Sequence, residues 1–315
     1  MTIHQHIAAG IDMGSNTFRL LVADCAPGCM SVLVKKTETV RLGRGLEESL
    51  VLHEQTMQKA YEVLLDFRKI LDQLKPKSIR ICGTEALRQA RNSPLFLHKA
   101  AAIIGYEIEI ISGAEEAGLS LAGALSGFKE PPAGLLLLVD VGGGSTELVV
   151  AECPAGEAKM KSVPLGVIGV TEKFIAAPLP DPAYLDSLLA ETLHASFNSL
   201  RLLQKKQPFL VIGCGGTATS MAALDLNLTS YNESLVHGHV LQSASIKKLW
   251  DKLIVLPAHK RNVLPCLGKG RGEILPAGIR IYLVLLQLLE KEEMMVSDTG
   301  LLEGILLSSL SNTPA

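Results

Sequence analysis

Two short loops carry the residues with the clearest chemistry. Asp12-Met-Gly-Ser-Asn-Thr17 follows the apolar run Ile7–Ile11, and Asp140-Val-Gly-Gly-Gly-Ser-Thr-Glu147 follows the run Leu135–Val139. Each loop leads into a second apolar run, Phe18–Ala23 and Leu148–Ala151. Both units read as strand, tight glycine turn, strand: a hairpin with an aspartate and a hydroxyl at its tip. Glycine has no Cβ, so its backbone can approach an anion closely. Successive N–H groups in such a turn form a concave anion site. An aspartate beside that site repels phosphate unless a cation stands between them. Two such loops therefore suggest a metal-assisted phosphate clamp.

The surrounding pattern is α/β. Strand-like runs occupy Ile7–Ile11, Phe18–Asp24 and Ser31–Val40. Residues 54–74 carry Met57, Tyr61, Leu64, Leu65, Ile70, Leu71 and Leu74 at helical spacing, and Pro76 ends that helix. Ser78–Cys82 reads as a strand, with a helix from Gly83-Thr84 to Arg91. Ser93-Pro94 opens another helix, with Ser at the cap. Tyr106–Ile111 reads as a strand, and Ser112-Gly-Ala-Glu-Glu116 caps a helix to about Ser126. Acids in that first turn suit the helix dipole. Phe128-Lys-Glu-Pro-Pro-Ala-Gly134 is the clearest boundary. Beyond it the order restarts: strands 135–139, 146–153 and 157–163, helix 181–205, and strand Phe209–Ile212. A third glycine turn, Gly213-Cys-Gly-Gly-Thr217, enters a helix, and 225–242 reads as loop. Helices are expected over 243–254, 257–264, 273–290 and 301–311, with a strand at Glu293–Ser297. Two halves opening on the same unit look like a duplication.

Composition narrows the function classes. The chain has 315 residues, of which 48% are hydrophobic, enough for two domains. Its net charge of −2 gives no global basic field, so a nucleic-acid polymer is not an expected partner. Local basic stretches do exist: Lys35, Lys36, Arg41 and Arg44; Arg88 and Arg91; Lys269 and Arg271. No apolar run is long enough for a membrane span. The N-terminus lacks the basic and apolar regions of a secretory signal. None of the six cysteines forms a Cys-x-x-Cys pair, and the reading is buried free thiols in a cytoplasmic protein. His237-Gly-His239 has too short a spacing on a loop to argue for a metal by itself.

The order of motifs resembles the exopolyphosphatase/guanosine pentaphosphate phosphatase family of the actin, Hsp70 and sugar-kinase superfamily. The residues that carry the resemblance are Ile11-Asp-Met-Gly-Ser-Asn-Thr-Phe18, Gly83-Thr-Glu-Ala-Leu-Arg-Gln89, Glu109-Ile-Ile-Ser-Gly-Ala-Glu-Glu-Ala117 and Val139-Asp-Val-Gly-Gly-Gly-Ser-Thr-Glu-Leu148. Later matches are Gly213-Cys-Gly-Gly-Thr217, Pro276-Ala-Gly278 and Ser297-Asp-Thr-Gly-Leu-Leu-Glu-Gly304. The resemblance implies two ribonuclease-H-like domains, 1–126 plus 300–315 and 127–299, with a cleft between them. It also implies hydrolysis of a terminal phosphoanhydride, of polyphosphate or of guanosine pentaphosphate. Longer members carry extra C-terminal helical domains absent from this sequence, so high processivity on long chains is not expected. Relatives are often dimers, which leaves a homodimer open.

Phosphoryl transfer asks a protein mainly for positioning and charge neutralisation. The expected cradle is Gly14, Ser15 and Asn16 on one side and Gly143, Gly144 and Ser145 on the other. Gly215 and Gly216 are further candidates for a distal phosphate or a guanosine. Asp140 and Glu147 are expected to hold Mg²⁺, which favours hard oxygen ligands. Asp12 is a third carboxylate, at the metal or behind it. Glu116 matches the family's catalytic glutamate. Arg88 is the expected phosphate clamp, because a guanidinium fork fits phosphate oxygens. Arg19 and Arg44 are weaker candidates. Two other readings stand beside this one: an ATP-dependent small-molecule kinase, and a non-catalytic sensor of guanosine tetra- or pentaphosphate.

Overall fold

The computed structural model describes residues 6–26, 29–153, 158–175, 182–200, 208–268 and 270–311. The chain divides into unit 1, Met1–Gly123 with Leu301–Ala315, and unit 2, Ala124–Gly300.

Unit 1 begins with β1 (Ile7–Met13), β2 (Thr17–Ala26) and β3 (Cys29–Thr39). Then come α1 (Leu46–Ser49), α2 (Glu54–Leu74), β4 (Ser78–Gly83), α3 (Glu85–Gln89), α4 (Ser93–Ile104), β5 (Glu109–Ile110) and α5 (Gly113–Ser126). The strand order is β3-β2-β1-β4-β5. The first three strands are antiparallel, and β4 and β5 run parallel to β1. Side chains alternate across a strand. Ala9, Ile11 and Met13 accordingly join the core with Tyr61, Leu64 and Phe67 of α2, while Ala8 faces the opposite side.

Unit 2 repeats the order. It contains β6 (Gly134–Val141), β7 (Thr146–Cys153), β8 (Lys159–Val163), α6 (Val167–Val170) and a π-helical turn, Thr171–Ile175. These lead to α7 (Pro182–Leu200), β9 (Leu210–Cys214), α8 (Gly215–Asp225), α9 (Glu233–Val236) and β10 (Val240–Gln242). Next are α10 (Ser243–Ile254), α11 (Ala258–Arg261), α12 (Arg271–Leu288) and β11 (Glu293–Val296). The sheet order is β10-β11-β9-β6-β7-β8. Leu135, Leu137, Val139 and Val141 face one helical core with Leu193, Met221, Leu253 and Tyr282. The fold is therefore mixed α/β with two sheets of ribonuclease-H-like order.

The last helix, α13 (Leu301–Ser311), packs on the second face of the unit 1 sheet. Leu302 and Leu306 meet Ala8 and Leu21, and Leu301 and Ile305 meet Cys82 and Ile111. Each such fully buried side chain contributes about 1.5–3 kcal/mol. Gly10 makes the approach possible: a Cβ there would stand 2.9 Å from the Leu306 backbone nitrogen.

Three sequence expectations shift. The strand 106–111 shrinks to Glu109–Ile110, because β5 pairs only with Cys82 and Gly83. The stretch 225–242 holds α9 and β10, too short to show a period; β10 is fixed by pairing with β11. Asn92, not Ser93, stands at the cap of α4, and its side chain bonds the Leu52 backbone N–H at 2.8 Å and carbonyl at 3.0 Å. Residues 157, 181 and 201–205 of the expected strand and helix lie outside the described residues, as does Lys269.

Candidate active site

Sheet register brings the second hairpin's carboxylates together. Asp140 on β6 stands directly opposite Glu147 on β7, and Glu147 stands opposite Ser162 on β8. On the other side Asp140 is level with Cys214 of β9. Directly opposed residues have Cβ atoms about 5 Å apart and share a face. Asp140 is 8% exposed and Glu147 3%. The Ser162 hydroxyl donates to Glu147 Oε1 at 2.9 Å. The Asp140 carboxylate lies against the backbone of Gly215, which sits at φ +74. A Cβ at Gly215 would come within 2.2 Å of Asp140 Oδ1. Two buried like charges face to face repel each other, and a cation between them relieves that repulsion. The donor set is hard oxygen, so it fits Mg²⁺. Among the described residues no group of three or more His, Cys, Asp and Glu side chains is placed to hold a metal. Mg²⁺ suits a two-carboxylate site, since it keeps water and takes further oxygens from phosphate.

The glycine loop beside this pair is pinned from behind. Gly142 N–H donates to the Ser145 carbonyl at 2.9 Å, closing the turn. The Gly142 and Gly143 carbonyls accept from Val167 N–H at 3.0 Å and Ile168 N–H at 2.9 Å. The N–H groups of Gly143 and Gly144 donate to no acceptor among the described residues, which leaves them for an anion. Gly166 presses on the loop: a Cβ there would lie 2.2 Å from the Gly143 carbonyl oxygen and 2.4 Å from the Gly144 carbonyl carbon. Sequence reading missed Gly166. Its signal was Pro164-Leu-Gly166 just after a predicted strand, too common a pattern to single out.

The first hairpin repeats the rung with one change of sign. Asp12 is level with Cys82 on β4, opposite Arg19 on β2, which in turn is opposite Thr37 on β3. Arg19 occupies the place of Glu147. Its Nε and Nη2 both reach Asp12 Oδ2 at 2.7 Å. Asp12 Oδ1 is buried without a hydrogen-bond partner. Burial raises the Asp12 pKa, Arg19 opposes that rise, and Glu303 of α13 adds to it. In the tip, Gly14 N–H is used within the turn, on the Thr17 carbonyl at 3.0 Å, so it is no phosphate donor. Ser15 and Asn16 N–H groups donate to no acceptor among the described residues. Their carbonyls accept from Gly43 (2.8 Å) and from Val40 and Arg41 (3.0 and 2.8 Å), tying the tip to the following loop.

The two glutamates that open α5 part company. Glu115 turns outward to Arg80 Nη2 at 2.5 Å, and Arg80 also holds Glu109 at 2.8 Å and the Ser308 hydroxyl at 2.9 Å. Glu116, 6% exposed, receives Arg88 Nη1 at 2.8 Å. The roughly 100° between consecutive helical residues makes this divergence unavoidable. Arg88 bonds Glu85 and the Ile111 carbonyl as well. As placed, Arg88 braces Glu116 rather than standing open as a phosphate fork.

The third glycine turn starts α8. Thr217 Oγ1 donates to the Val141 carbonyl at 3.0 Å, linking this helix to the strand that carries Asp140. The Arg271 guanidinium lies close against Gly216, where a Cβ would fall 1.6 Å from Nη1. The two loop histidines are separate. His239 Nε2 pairs with Asp225 at 2.9 Å, while His237 Nδ1 accepts from the Asp298 N–H at 3.2 Å. The His237 ring packs against Phe128, centroids 4.3 Å apart and planes tilted by 45°, and its Nε2 is buried without a hydrogen-bond partner. Burial lowers the His237 pKa, against an opposing pull from Asp298. Folding therefore favours the neutral ring. Stability from this residue is present above the unfolded histidine value of about 6.5 and is lost as pH falls below it. Thermal melting between pH 7.5 and 5.5 should show a steeper fall for wild type than for His237→Gln; parallel curves would refute it.

In sequence and in fold the chain is similar to known proteins. A family model for the Ppx/GppA phosphatase family matches residues 21–313. A guanosine-5'-triphosphate,3'-diphosphate pyrophosphatase of Vibrio vulnificus is 29% identical over 96% of this chain, which spans only 59% of that protein's length. Exopolyphosphatase 2 of Mycobacterium tuberculosis is 27% identical, over 95% of this chain and 97% of that protein. The crystal structure of the Aquifex aeolicus Ppx/GppA family member is 30% identical with a TM-score of 0.79, covering 98% of this chain and 99% of that one. The chain belongs to the Ppx/GppA phosphatase family.

Proposed function

We propose that this chain hydrolyses the terminal phosphoanhydride bond of inorganic polyphosphate, guanosine pentaphosphate, or both. The observation that carries the proposal is the buried Asp140–Glu147 pair, opposed across β6 and β7 beside the open N–H groups of Gly143 and Gly144. That arrangement offers cation ligands and anion donors within one hairpin. The printed names of the Vibrio and Mycobacterium relatives supply the two substrate classes.

In this reading Gly143, Gly144 and Ser145 of the second hairpin hold phosphoryl oxygens, and the first hairpin offers the N–H groups of Ser15 and Asn16 to an anion in the same way. Asp140 and Glu147 hold Mg²⁺, which when bound offsets charge on the phosphate oxygens. Glu116, buried and braced by Arg88, orients the attacking water and takes its proton. The water oxygen bonds to phosphorus, the bridging P–O bond breaks, and the shortened chain departs with the bridging oxygen. Gly215 and Gly216, beside Arg271, would meet a distal part of the substrate.

Register also supports a division of roles among the carboxylates. Asp12 already has a cation in Arg19, whereas the residue opposite Asp140 on the neighbouring strand is an acid, Glu147. Divalent binding should therefore follow Asp140 and Glu147. Titration of Mn²⁺ by electron paramagnetic resonance should show tight binding lost in Asp140→Asn and kept in Asp12→Asn; the reverse pattern overturns the assignment. The function itself is tested by phosphate release from guanosine pentaphosphate and from short and long polyphosphate, with Mg²⁺ and with EDTA. Release abolished by EDTA supports hydrolysis. No release from any substrate, with thermal stabilisation by the nucleotide, moves the reading to a sensor.

A further inference from the structure

We propose that Glu85 is a positioning residue that sets the basicity of Glu116 by controlling how Arg88 meets it. The inference rests on the reading of Glu116 as the base. A guanidinium usually meets a carboxylate through a two-nitrogen edge, with two parallel bonds. Here that edge is already taken. Arg88 Nε and Nη2 both go to Glu85 Oε2, at 2.9 and 2.5 Å. Only Nη1 is turned to Glu116 Oε2, at 2.8 Å, and it is shared with the Ile111 carbonyl at 2.7 Å. Glu85 is itself held from its other oxygen, where Gln89 Nε2 donates to Oε1 at 2.5 Å. Gln89, Glu85, Arg88 and Glu116 thus form one chain of contacts running from α3 to α5.

The spacing explains why α3 can do this. Glu85, Arg88 and Gln89 stand three and four residues apart, on one side of a helix only five residues long. An acid that served only the helix dipole would need no side-chain partner, yet Glu85 engages two. Arg88 and Glu116 are well sheltered, with side chains 18% and 8% exposed. In such surroundings an adjacent opposite charge typically lowers a carboxyl pKa by about 1–3 units. A base held by the full arginine fork would be a weaker proton acceptor than one held by a single bond. By taking the fork's edge, Glu85 limits Arg88 to one oriented bond on Glu116 and partly compensates the cation. Arg88 is the charged contact that reaches Glu116 from α3. Glu115, next to it on α5, is drawn away by Arg80, which Glu109 also engages.

The sign of the test follows. Glu85→Gln keeps the shape and one acceptor but removes the competing charge, so Arg88 acts more strongly on Glu116. The acid limb of the kcat–pH profile should then move to lower pH, by about half a unit to one unit. Glu85→Asp, with the charge one methylene short, should move it less in the same direction. The profiles are measured on the full chain with Mg²⁺, using polyphosphate and guanosine pentaphosphate in parallel, with thermal melting to confirm folding. A loss of kcat with an unmoved acid limb in Glu85→Gln overturns the proposal. If Glu85→Gln does not fold, an unmoved limb in Glu85→Asp does so. Glu116→Gln is the separate control: wild-type activity there removes the underlying reading, whatever Glu85 does.

Discussion

Glu116→Gln is expected to lower kcat by about 10² to 10⁴, the usual contribution of a positioned general base. The substitution is nearly isosteric, and the amide oxygen can still accept the bond from Arg88 Nη1. What disappears is the ability to take a proton from water. The helix that carries Glu116 does not depend on it: Ser112 Oγ accepts the Glu115 N–H at 3.1 Å, and Arg80 anchors Glu115. The melting temperature should fall by a few degrees at most, from the lost charge pair with Arg88. Phosphate release measured beside thermal melting separates the two effects. A folded Glu116→Gln protein with wild-type kcat would falsify the assignment.

Gly166→Ala is expected to damage the second glycine loop from outside it. The new methyl carbon would stand 2.2 to 2.5 Å from backbone atoms of Gly143 and Gly144. Backbone cannot swing aside as the end of a long side chain can. Either the loop or the start of α6 must move, and the bonds from Val167 and Ile168 to the loop carbonyls resist both. Overpacking of this kind costs about 1–3 kcal/mol. A shift of about 1 Å in catalytic groups can cost about 10²-fold in rate. The expected outcome is a kcat/KM lower by about that factor, with a lowered melting temperature. Unchanged kinetics would mean that the loop's position is not what the chemistry uses. Gly166 is not glycine for its dihedral angles, since its φ of −120 is open to any residue; only the close approach requires it.

Much of the hairpin chemistry is visible in the chain because it is local. A tight turn fixes register, and both turns place the aspartate's opposite number seven residues on: Arg19 after Asp12, Glu147 after Asp140. An ion pair in one repeat and two acids in the other can be read from that spacing alone. The strands flanking these turns were equally plain, since a buried strand is a continuous apolar run. Short elements were not. β5 and β10, of two and three residues, exist only because a neighbouring strand pairs with them. Nonlocal partners were hidden for the same reason. Nothing near Glu147 points to Ser162, nothing near Gly143 points to Gly166, and nothing near Asp140 points to Gly215. Arg88 carries the plainest lesson. Its residue type suggested a phosphate fork, but the chain path brings Glu85 and Glu116 to opposite sides of its guanidinium. Residue type and short-range spacing therefore determined which groups could do chemistry. Tertiary structure alone decided which of them are braced, neutralised or left open, because those outcomes depend on atoms brought close by packing rather than by sequence.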